Sequence, residues 1–331
     1  MKKLASLLFA VGIAFAAGAH AQSNLLNVSY DVARDVYKDF NPLFQKYWKA
    51  KTGEQVQIRQ SHGGSSKQAR AVADGLEADV VTMNQATDVD FLAGKGLVAT
   101  DYAKRFPDSA SPYTSTMVFI VRKGNPKGIK DWADVAQPGV QVIIPHPKNT
   151  GNGRYTYLAA WGYALAQPGG DDKSAAEFVG KLLKNAPLFA SGGRDATTTF
   201  MQRKIGDVLI TFESEAELIA REFGRGDFEV VHPGLSILAE FPVAIVEKVV
   251  DKKGTRKVAQ AYLEYLWSKE GQENAAQNYL RPRDPEVLKK YAAQFPPIKT
   301  FTADEVFGGW SKAAELHFKD GGSFDRLFIQ K

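Results

Sequence analysis

The sequence predicts an α/β protein of two lobes, each built on a mostly parallel sheet flanked by helices. Short apolar runs typical of buried strands alternate with segments of helical periodicity, and this alternation is typical of βαβ units. The breaker Gly124-Asn125-Pro126 follows a long strand-like run, and a second α/β pattern begins after it. The chain that remains after a leader of 21 residues is long enough for two domains of ordinary size.

Those first 21 residues have the composition of a secretory signal peptide. Lys2 and Lys3 form a basic start, residues 4–18 are apolar, and Ala19-His20-Ala21 has small residues at both cleavage-site positions. We therefore expect cleavage after Ala21 and an exported product. Because no later apolar run reaches the roughly 20 residues that span a bilayer, we expect the mature chain to be soluble.

Composition excludes several classes of function. The chain contains no cysteine, which rules out thiol catalysis, disulfide bonds and cysteine metal sites. The formal net charge is +5, and it falls to +3 when Lys2 and Lys3 are removed with the leader. The remaining basic residues are scattered and form no stripe, so we expect no nucleic-acid partner.

The first lobe begins with three strand-like runs separated by helices. Residues 25–29 are the first strand, and residues 32–44 repeat apolar side chains at helical spacing, with a kink or a second helix start expected at Pro42. Residues 56–59 are the second strand, which leads through a glycine turn into another helix. Residues 78–83 are a third, buried strand.

The second lobe repeats this alternation after a long strand at residues 114–121. Further strands are expected at 140–144, 188–190, 207–212 and within 235–246, with helices at 131–135, 155–165 and 196–203 and a mostly helical segment from residue 255. Chain crossings between the lobes are expected near Val121 and within residues 237–241. They divide the mature chain into lobe 1, residues 22–120 and 240–331, and lobe 2, residues 121–239.

Four turns share one form, since each ends a strand-like run, contains glycine or a short polar residue, and opens a helix. They are Tyr30-Asp31, Gly63-Gly64-Ser65-Ser66, Asn149-Thr150-Gly151-Asn152 and Ser191-Gly192-Gly193. Taken singly, each is also an ordinary strand-to-helix connection. The first N–H groups of a helix lack partners and carry about half a positive charge. If all four turns line one cleft, they supply roughly two positive charges, which suits a small dianion without lysine or arginine.

Other chemistry has weaker support. The histidines are far apart and lack metal-ligand spacing, so no metal or cofactor is expected. His62-Gly63-Gly64 is similar to an esterase oxyanion loop, but the G-x-S-x-G elbow is absent. A periplasmic ester hydrolase using Ser65 and His62 is kept as an alternative. A solvated edge is favoured over a catalytic pair for the alternating carboxylates Glu213, Glu215 and Glu217.

Four motifs carry a resemblance to a known family. They are residues 60–65, 121–127, 157–162 and 307–310. All four are similar to the sulfate/thiosulfate-binding proteins of sulfur-uptake ABC transporters, and the similarity extends over essentially the whole mature chain. The resemblance implies a two-lobe periplasmic binding protein of type II that closes on the anion and delivers it to an inner-membrane permease. It further implies a monomer that catalyses no reaction.

The resemblance also carries a set of binding residues onto this chain. It places at the anion the backbone of Asp31, the backbone and hydroxyl of Ser65, the hydroxyl of Thr150 and the backbones of Gly151, Asn152 and Gly193. These positions fall in the four turns. Residues 146–154 depart from the family pattern, although Thr150 keeps a hydroxyl. At the position of the family's indole donor stands Phe212, which cannot donate.

Phe212 favours thiosulfate over sulfate as the preferred ligand. Residues 82–85, 211–215 and 239–244 look like the thiosulfate-binding branch. Sulfur is a larger and poorer acceptor than oxygen, so loss of the indole N–H costs thiosulfate less than sulfate. A site made only of donors also rejects hydrogen phosphate, whose O–H stays unpaired. Another oxyanion, molybdate or phosphate, is the nearest alternative ligand.

Overall fold

The computed structural model describes residues 22–224 and 226–329. The expected signal peptide, residues 1–21, lies outside the described residues. Within them the chain forms two sheets surrounded by helices, which confirms the predicted α/β class with two lobes. Over the same residues, no helix combines the length and apolarity needed to cross a membrane.

The first part of the chain alternates strands and helices as expected. The elements are β1 (Gln22–Tyr30), α1 (Arg34–Thr52), β2 (Gln55–Gly63), α2 (Ser65–Ala73), β3 (Val80–Thr82), α3 (Ala86–Gly94) and the single turn α4 (Pro107–Ala110). α1 continues through Pro42 as one helix, and it buries Val36, Phe40 and Phe44 on the face predicted from their spacing. The turn α4 has positive φ angles from Asp108 to Ala110.

The middle of the chain opens with the longest strand of the second lobe. The elements are β4 (Tyr113–Arg122), α5 (Trp132–Val135), β5 (Val142–Pro145), α6 (Gly151–Leu165), α7 (Asp172–Lys184), β6 (Phe189–Ala190), α8 (Gly193–Thr197), β7 (Val208–Phe212), α9 (Glu213–Phe223), β8 (Phe228–Val231) and β9 (Leu235–Glu240). α6 is buried almost all round, because it is covered by α7 and β9.

The last part of the chain contributes helices and strands to both lobes. The elements are β10 (Val243–Ile245), α10 (Glu247–Lys253), α11 (Arg256–Glu264), α12 (Lys269–Gln277), β11 (Arg281–Pro282), α13 (Pro285–Lys290), β12 (Lys299–Phe301), α14 (Ala303–Phe307), α15 (Trp310–Ala313) and α16 (Ser323–Ile329). α11 and α12 pack on β1 and α1 of the first lobe. β12 instead pairs with β9, and α16 packs on α7, so residues 299–329 join the second lobe, which differs from the expected assignment of 240–331 to lobe 1.

The first sheet has the strand order β10-β3-β1-β2. β1 is parallel to both β2 and β3, and only the edge strand β10 is antiparallel. The carboxyl ends of the three parallel strands therefore meet at one edge, with the last residues of β1 and β2 paired in register. In such sheets, ligands bind beyond the carboxyl ends of the strands.

The second sheet has the order β12-β9-β4-β7-β5-β6 and is mixed. β4 is antiparallel to β7, β8, β9 and β11, whereas β5 is parallel to β6 and β7. The mixed order arises because β4 brings the chain into this lobe and β9 takes it out, so the two strands run in opposite directions. The carboxyl ends of β5, β6 and β7 meet at the edge that faces the first lobe.

Candidate functional site between the two lobes

One small cavity between the lobes is lined by residues from all four predicted turns. Measured as the space open to the centre of a water molecule, its volume is about 20 Å³, little more than the roughly 10–15 Å³ that one water requires. The lining consists of Tyr30, Asp31, Val32, Gly64, Ser65, Asn84, Thr150, Gly151, Asn152, Gly192, Gly193, Phe212 and Glu215. Every residue that the sequence placed at the anion lies in this lining.

The first lobe contributes the turns that follow its parallel strands. Asp31 comes directly after β1, Ser65 begins α2 with one residue between it and β2, and Asn84 follows β3. These three residues converge because the strands that precede them are adjacent and parallel. The Asn84 main-chain N–H donates to Ser65 Oγ at 3.3 Å, and Ser65 Oγ contacts Met83 Sδ at 3.6 Å.

From the second lobe, α6 directs its amino terminus at the cavity. Thr150 is the N-cap, and its hydroxyl accepts the Gly153 N–H and donates to His146 O, both at 3.0 Å. The hydroxyl is therefore engaged within the cap, while Gly151 and Asn152 present first-turn N–H groups, which have no helical partner. The 15 residues of α6 place the positive end of the helix dipole here.

The start of α8 closes the cavity from the other side. A Cβ at Gly193 would lie 2.5 Å from Glu215 Oε1, so only glycine allows the backbone to approach the carboxyl group this closely. Gly192 is in the extended region, and α8 begins at the next residue. Both glycines line the cavity through their backbones.

Among the described residues, no lysine or arginine lines the cavity. Its ionisable side chains are the carboxyl groups of Asp31 and Glu215 and the phenol of Tyr30, whose pKa is raised by burial. Positive potential at the cavity therefore comes from helix starts and backbone N–H groups, as the four turns predicted.

Glu215 is the residue whose state decides the charge of the cavity. Its side chain is 3% exposed, and Asn152 Nδ2 donates to its Oε2 at 3.2 Å. Burial, and to a lesser extent the nearby Asp31, raise the pKa of Glu215 to about 8 against smaller opposing effects of Arg194 and Asn152. Below that pH the group is a neutral carboxylic acid, which can donate a hydrogen bond.

The expectation of a solvated edge at the alternating glutamates was wrong. Glu213 and Glu215 are both 3% exposed. Glu213 is paired with Arg281, whereas Glu215 has no lysine or arginine within 4.0 Å in the part of the chain that the structure describes. The burial arises because α9 starts at the end of β7, inside the contact between the lobes. The cavity therefore contains a buried carboxyl group, whereas the sequence predicted a site made only of hydrogen-bond donors.

We expect anion binding to be nearly independent of pH below about 7.5 and to weaken above about pH 8. A raised carboxyl pKa means that Glu215 keeps its proton at lower pH, and above its pKa the carboxylate repels a dianion. Each further pH unit should lower the affinity roughly tenfold. Calorimetric titration with sulfate between about pH 6.5 and 9.5 measures this slope.

Two variants distinguish the ionisation of Glu215 from a general effect of alkaline pH on anion affinity. Glu215→Gln cannot ionise and should lose the slope. Glu222→Gln, at a half-exposed position on the same helix, should keep it. Equal wild-type affinities at pH 7 and pH 9.5 would show that Glu215 carries no titratable charge in the cavity.

Arg154 on α6 links the two lobes beside the cavity. Its Nη1 donates to Ser66 Oγ of the first lobe at 3.1 Å and lies 3.9 Å from Asp88, and its Nη2 donates to Lys148 O at 2.7 Å. The guanidinium is thus directed away from the cavity and into a polar network at the lobe contact. It stabilises the closed arrangement without contributing to the lining.

Phe212 forms an apolar wall of the cavity. Its side chain is buried at the end of β7 and packs edge-on against Tyr155 and Phe241, with ring centroids 5.5 Å apart in both pairs. No hydrogen-bond donor of this side chain reaches the cavity, as expected from its identity.

The geometry does not support a serine–histidine pair. His62 Nδ1 lies 3.3 Å from Tyr30 O, while Ser65 Oγ contacts Met83 and the Asn84 N–H, so these two side chains are not hydrogen-bonded to each other. His62 is also absent from the cavity lining. Among the described residues, no group of three or more His, Asp or Glu side chains is placed to hold a metal.

Outside the four turns, the sequence did not predict the lining residues Val32, Asn84 and Glu215, of which Asn84 and Glu215 carry polar side chains. Asn84 follows the carboxyl end of a buried strand, and that position is itself a signal of a binding residue in α/β sheets. The alternation of Glu213, Glu215 and Glu217 favours a solvated edge, so the sequence did not predict Glu215 in the cavity. Tyr30, Val32, Gly64 and Gly192 lie next to predicted residues in three of the four turns.

Two α/β lobes closed over a small cavity at the ends of their strands define a bacterial solute-binding protein. A family model described as "Bacterial extracellular solute-binding protein" matches residues 28–281. The chain belongs to this family, and within it to the sulfate- and thiosulfate-binding proteins. The resemblance noted in the sequence is thereby confirmed.

Three relatives place the chain in this group. A thiosulfate-binding protein of Pseudomonas aeruginosa is 62% identical over 330 residues, which cover 99% of both chains. A sulfate-binding protein of Escherichia coli is 56% identical over 303 residues, or 92% of each chain. Among solved structures, the sulfate-binding protein SubI of Mycobacterium tuberculosis superposes with a TM-score of 0.81 at 31% identity, covering 90% of this chain and 100% of SubI.

Proposed function

We propose that this protein binds thiosulfate and sulfate in the inter-lobe cavity and delivers them to an ABC-transporter permease in the inner membrane for sulfur assimilation. The observation that carries the proposal is a closed cavity formed by helix starts, without lysine or arginine among its described lining residues. Such a lining suits a dehydrated dianion. One relative is named as a thiosulfate-binding protein and another as a sulfate-binding protein.

The binding residues we propose are the cavity residues of the four turns together with Phe212. Asp31, Gly151, Asn152 and Gly193 act through backbone N–H groups, Ser65 through its backbone and hydroxyl, and Thr150 as the N-cap that positions the first turn of α6, since its hydroxyl already donates to His146 O. The same proposal includes export through the signal peptide to the periplasm, a monomer, and two lobes joined by chain crossings near residues 121 and 240, with residues 299–329 packed on the second lobe. We further propose that the protein is a carrier and not an enzyme, since Ser65 and His62 are not paired.

Calorimetry with thiosulfate, sulfate, molybdate and hydrogen phosphate tests the function in one experiment. Roughly six charge-assisted hydrogen bonds give micromolar or tighter binding after desolvation. We expect this affinity for thiosulfate and sulfate, and much weaker binding of molybdate and hydrogen phosphate. Preference for either of the last two ions, or no binding of any of the four, would refute the proposal.

Phe212→Trp tests the preference for thiosulfate over sulfate. An indole at this position adds an N–H donor and takes up space beside the cavity, so it should favour the smaller, better acceptor. We expect the ratio of sulfate to thiosulfate affinity to rise by roughly tenfold, the effect of one hydrogen bond to an ion. Calorimetry with both ions measures the ratio. An unchanged ratio would remove the basis for ranking the two ligands by this residue.

A further inference from the structure

Asn84 is a buried polar residue of the cavity whose side-chain oxygen has no partner. It is 6% exposed and lines the cavity from the first lobe. Its Oδ1 is fully buried and, within residues 22–224 and 226–329, accepts no hydrogen bond. The buried atom without a partner is thus the acceptor Oδ1, and a half-turn of the amide about its last bond places the donor Nδ2 in the same position.

An unpaired amide oxygen in such a position is unusual. Buried amides are almost always hydrogen-bonded, because loss of their water contacts is unfavourable unless a partner replaces them. The neighbouring side-chain hydroxyls are already engaged: Ser65 Oγ accepts the Asn84 main-chain N–H, and Thr150 Oγ1 bonds within the cap of α6. The remaining direction for a partner is the cavity itself.

Gly151 of the second lobe lies directly against this amide. A Cβ at Gly151 would lie 2.6 Å from Asn84 Cγ and 2.8 Å from Nδ2, and closer still to Oδ1. The absence of a side chain at Gly151 thus makes room for Asn84. The amide of the first lobe therefore reaches the start of α6, where the first-turn N–H groups also face the cavity.

We propose that Asn84 is a direct ligand of the bound dianion, donating its side-chain N–H to an oxygen of the ion and thereby disfavouring ions that carry a proton. This inference rests on the proposed oxyanion function and adds a specificity-determining side chain to it. An asparagine amide can present either its N–H₂ or its oxygen, and the partner selects the orientation. A fully ionised oxyanion selects the N–H₂.

The charge of the surroundings favours the same orientation. The ionisable side chains in the lining are those of Asp31, Glu215 and Tyr30. A donor at Asn84 adds to the N–H groups of α6, whereas an oxygen pointing inward would face the negative ion. With the N–H₂ inward, the O–H of hydrogen phosphate finds no acceptor at this side chain.

Calorimetry on wild type, Asn84→Ala and Asn84→Asp with thiosulfate, sulfate and hydrogen phosphate at pH 7 tests the inference. Asn84→Ala should weaken thiosulfate and sulfate binding by roughly 10- to 100-fold, the effect of a hydrogen bond to an ion. Without ligand, its melting temperature should equal or exceed that of wild type, because no protein hydrogen bond is lost. A merely structural asparagine would show the reverse pattern.

Asn84→Asp separates direct contact from indirect effects. The carboxylate repels both fully ionised ions but accepts the O–H of hydrogen phosphate, so the phosphate-to-sulfate affinity ratio should rise at least tenfold over wild type. If this variant does not fold, Asn84→Leu, which matches the shape without a donor, should reproduce the affinity loss of Asn84→Ala.

Asn274→Ala is a matched control outside the cavity. Asn274 is also buried, but its Nδ2 donates to Val36 O at 3.1 Å, so the variant should melt earlier and keep wild-type affinity. If wild type binds the ions and the affinity of Asn84→Ala lies within about twofold of the wild-type value, the inference about Asn84 is overturned and the proposed function is not. An unchanged phosphate-to-sulfate ratio in folded Asn84→Asp would overturn it as well. Failure of wild type to bind any of the ions would instead refute the proposed function.

Discussion

Replacing Gly151 by alanine is expected to lower sulfate and thiosulfate affinity by at least 100-fold, or about 2.7 kcal/mol. The new Cβ would lie 2.6 Å from Asn84 Cγ and 2.8 Å from Nδ2, whereas real Cβ contacts essentially never fall below 3.0 Å. Since Gly151 and Asn84 belong to different lobes, the clash opposes closure itself. The α6 N–H groups would then stop short of the ion.

The effect should appear in binding and closure but not in folding. Gly151 is the first residue of α6 and has no positive φ, so alanine fits the helix start and the melting temperature without ligand should not fall. Small-angle scattering should show wild type becoming more compact when thiosulfate is added, with little change in Gly151→Ala. Gly180→Ala, on α7 with only an ordinary 3.6 Å contact to Leu327, controls for the substitution. Binding within threefold of wild type by a compact Gly151→Ala would contradict the clash.

A double variant tests which atoms cause the loss. If the alanine methyl collides with Asn84, then Asn84→Ala should cost little further affinity in the Gly151→Ala background, although it costs much in wild type. Residues in contact are expected to show such non-additivity. Additive losses would mean that the two residues act on the ion separately, without meeting at the lobe contact.

Local signals in the sequence were sufficient to predict the turns of the site. A glycine or short polar residue between an apolar strand run and a helix determines the turn without reference to distant residues. Alternation of strands and helices then placed Asp31 and Ser65 at one sheet edge, since adjacent parallel strands end together. The structure brings both to the cavity with Thr150, Gly151, Asn152 and Gly193.

Burial of the carboxylates could not be predicted in the same way. Glu213 and Glu215 alternate with small residues, a pattern that reads as a solvated strand edge, yet they begin α9 inside the contact between the lobes. Whether an acid is buried there depends on partners far away in sequence, such as Arg281 for Glu213. For Glu215 the main effect on the pKa is burial itself, followed by Asp31 of the first lobe and by Arg194 and Asn152 of the second.

The path of the last 30 or so residues was also beyond local reasoning. β12 has only three residues, and nothing in its composition specifies whether it pairs with a strand of the first or the second sheet. Pairing with β9 is decided by the free edge that β9 offers and by the aromatic contacts that follow it. Phe301, for example, fills the space left by Gly162 on α6.

Arg281→Met is expected to destabilise the fold by about 3–5 kcal/mol, the cost of removing the arginine partner from a buried carboxylate. Arg281 Nε and Nη2 donate to the two carboxylate oxygens of Glu213 at 2.7 and 2.8 Å, and Glu213 is 3% exposed. Burial acts to raise the pKa of Glu213, but hydrogen bonds from His232 and Arg281 outweigh it, so the pKa lies below its ordinary value. Urea denaturation at pH 7 measures the loss.

The pH dependence of this loss identifies its cause. A carboxylate with a depressed pKa contributes stability above its unfolded pKa, about 4.3, and loses that contribution as the pH falls through the folded value. The deficit of Arg281→Met should therefore shrink under acid conditions, where Glu213 is neutral in both proteins. Glu213→Gln should recover part of the deficit in the same background at pH 7.

Lys290→Met, which removes an exposed pair with Glu273, should cost at most about 1 kcal/mol. Equal losses in the free energy of unfolding for Arg281→Met and Lys290→Met would mean that the partner of buried Glu213 stabilises the fold no more than the partner in an exposed ion pair.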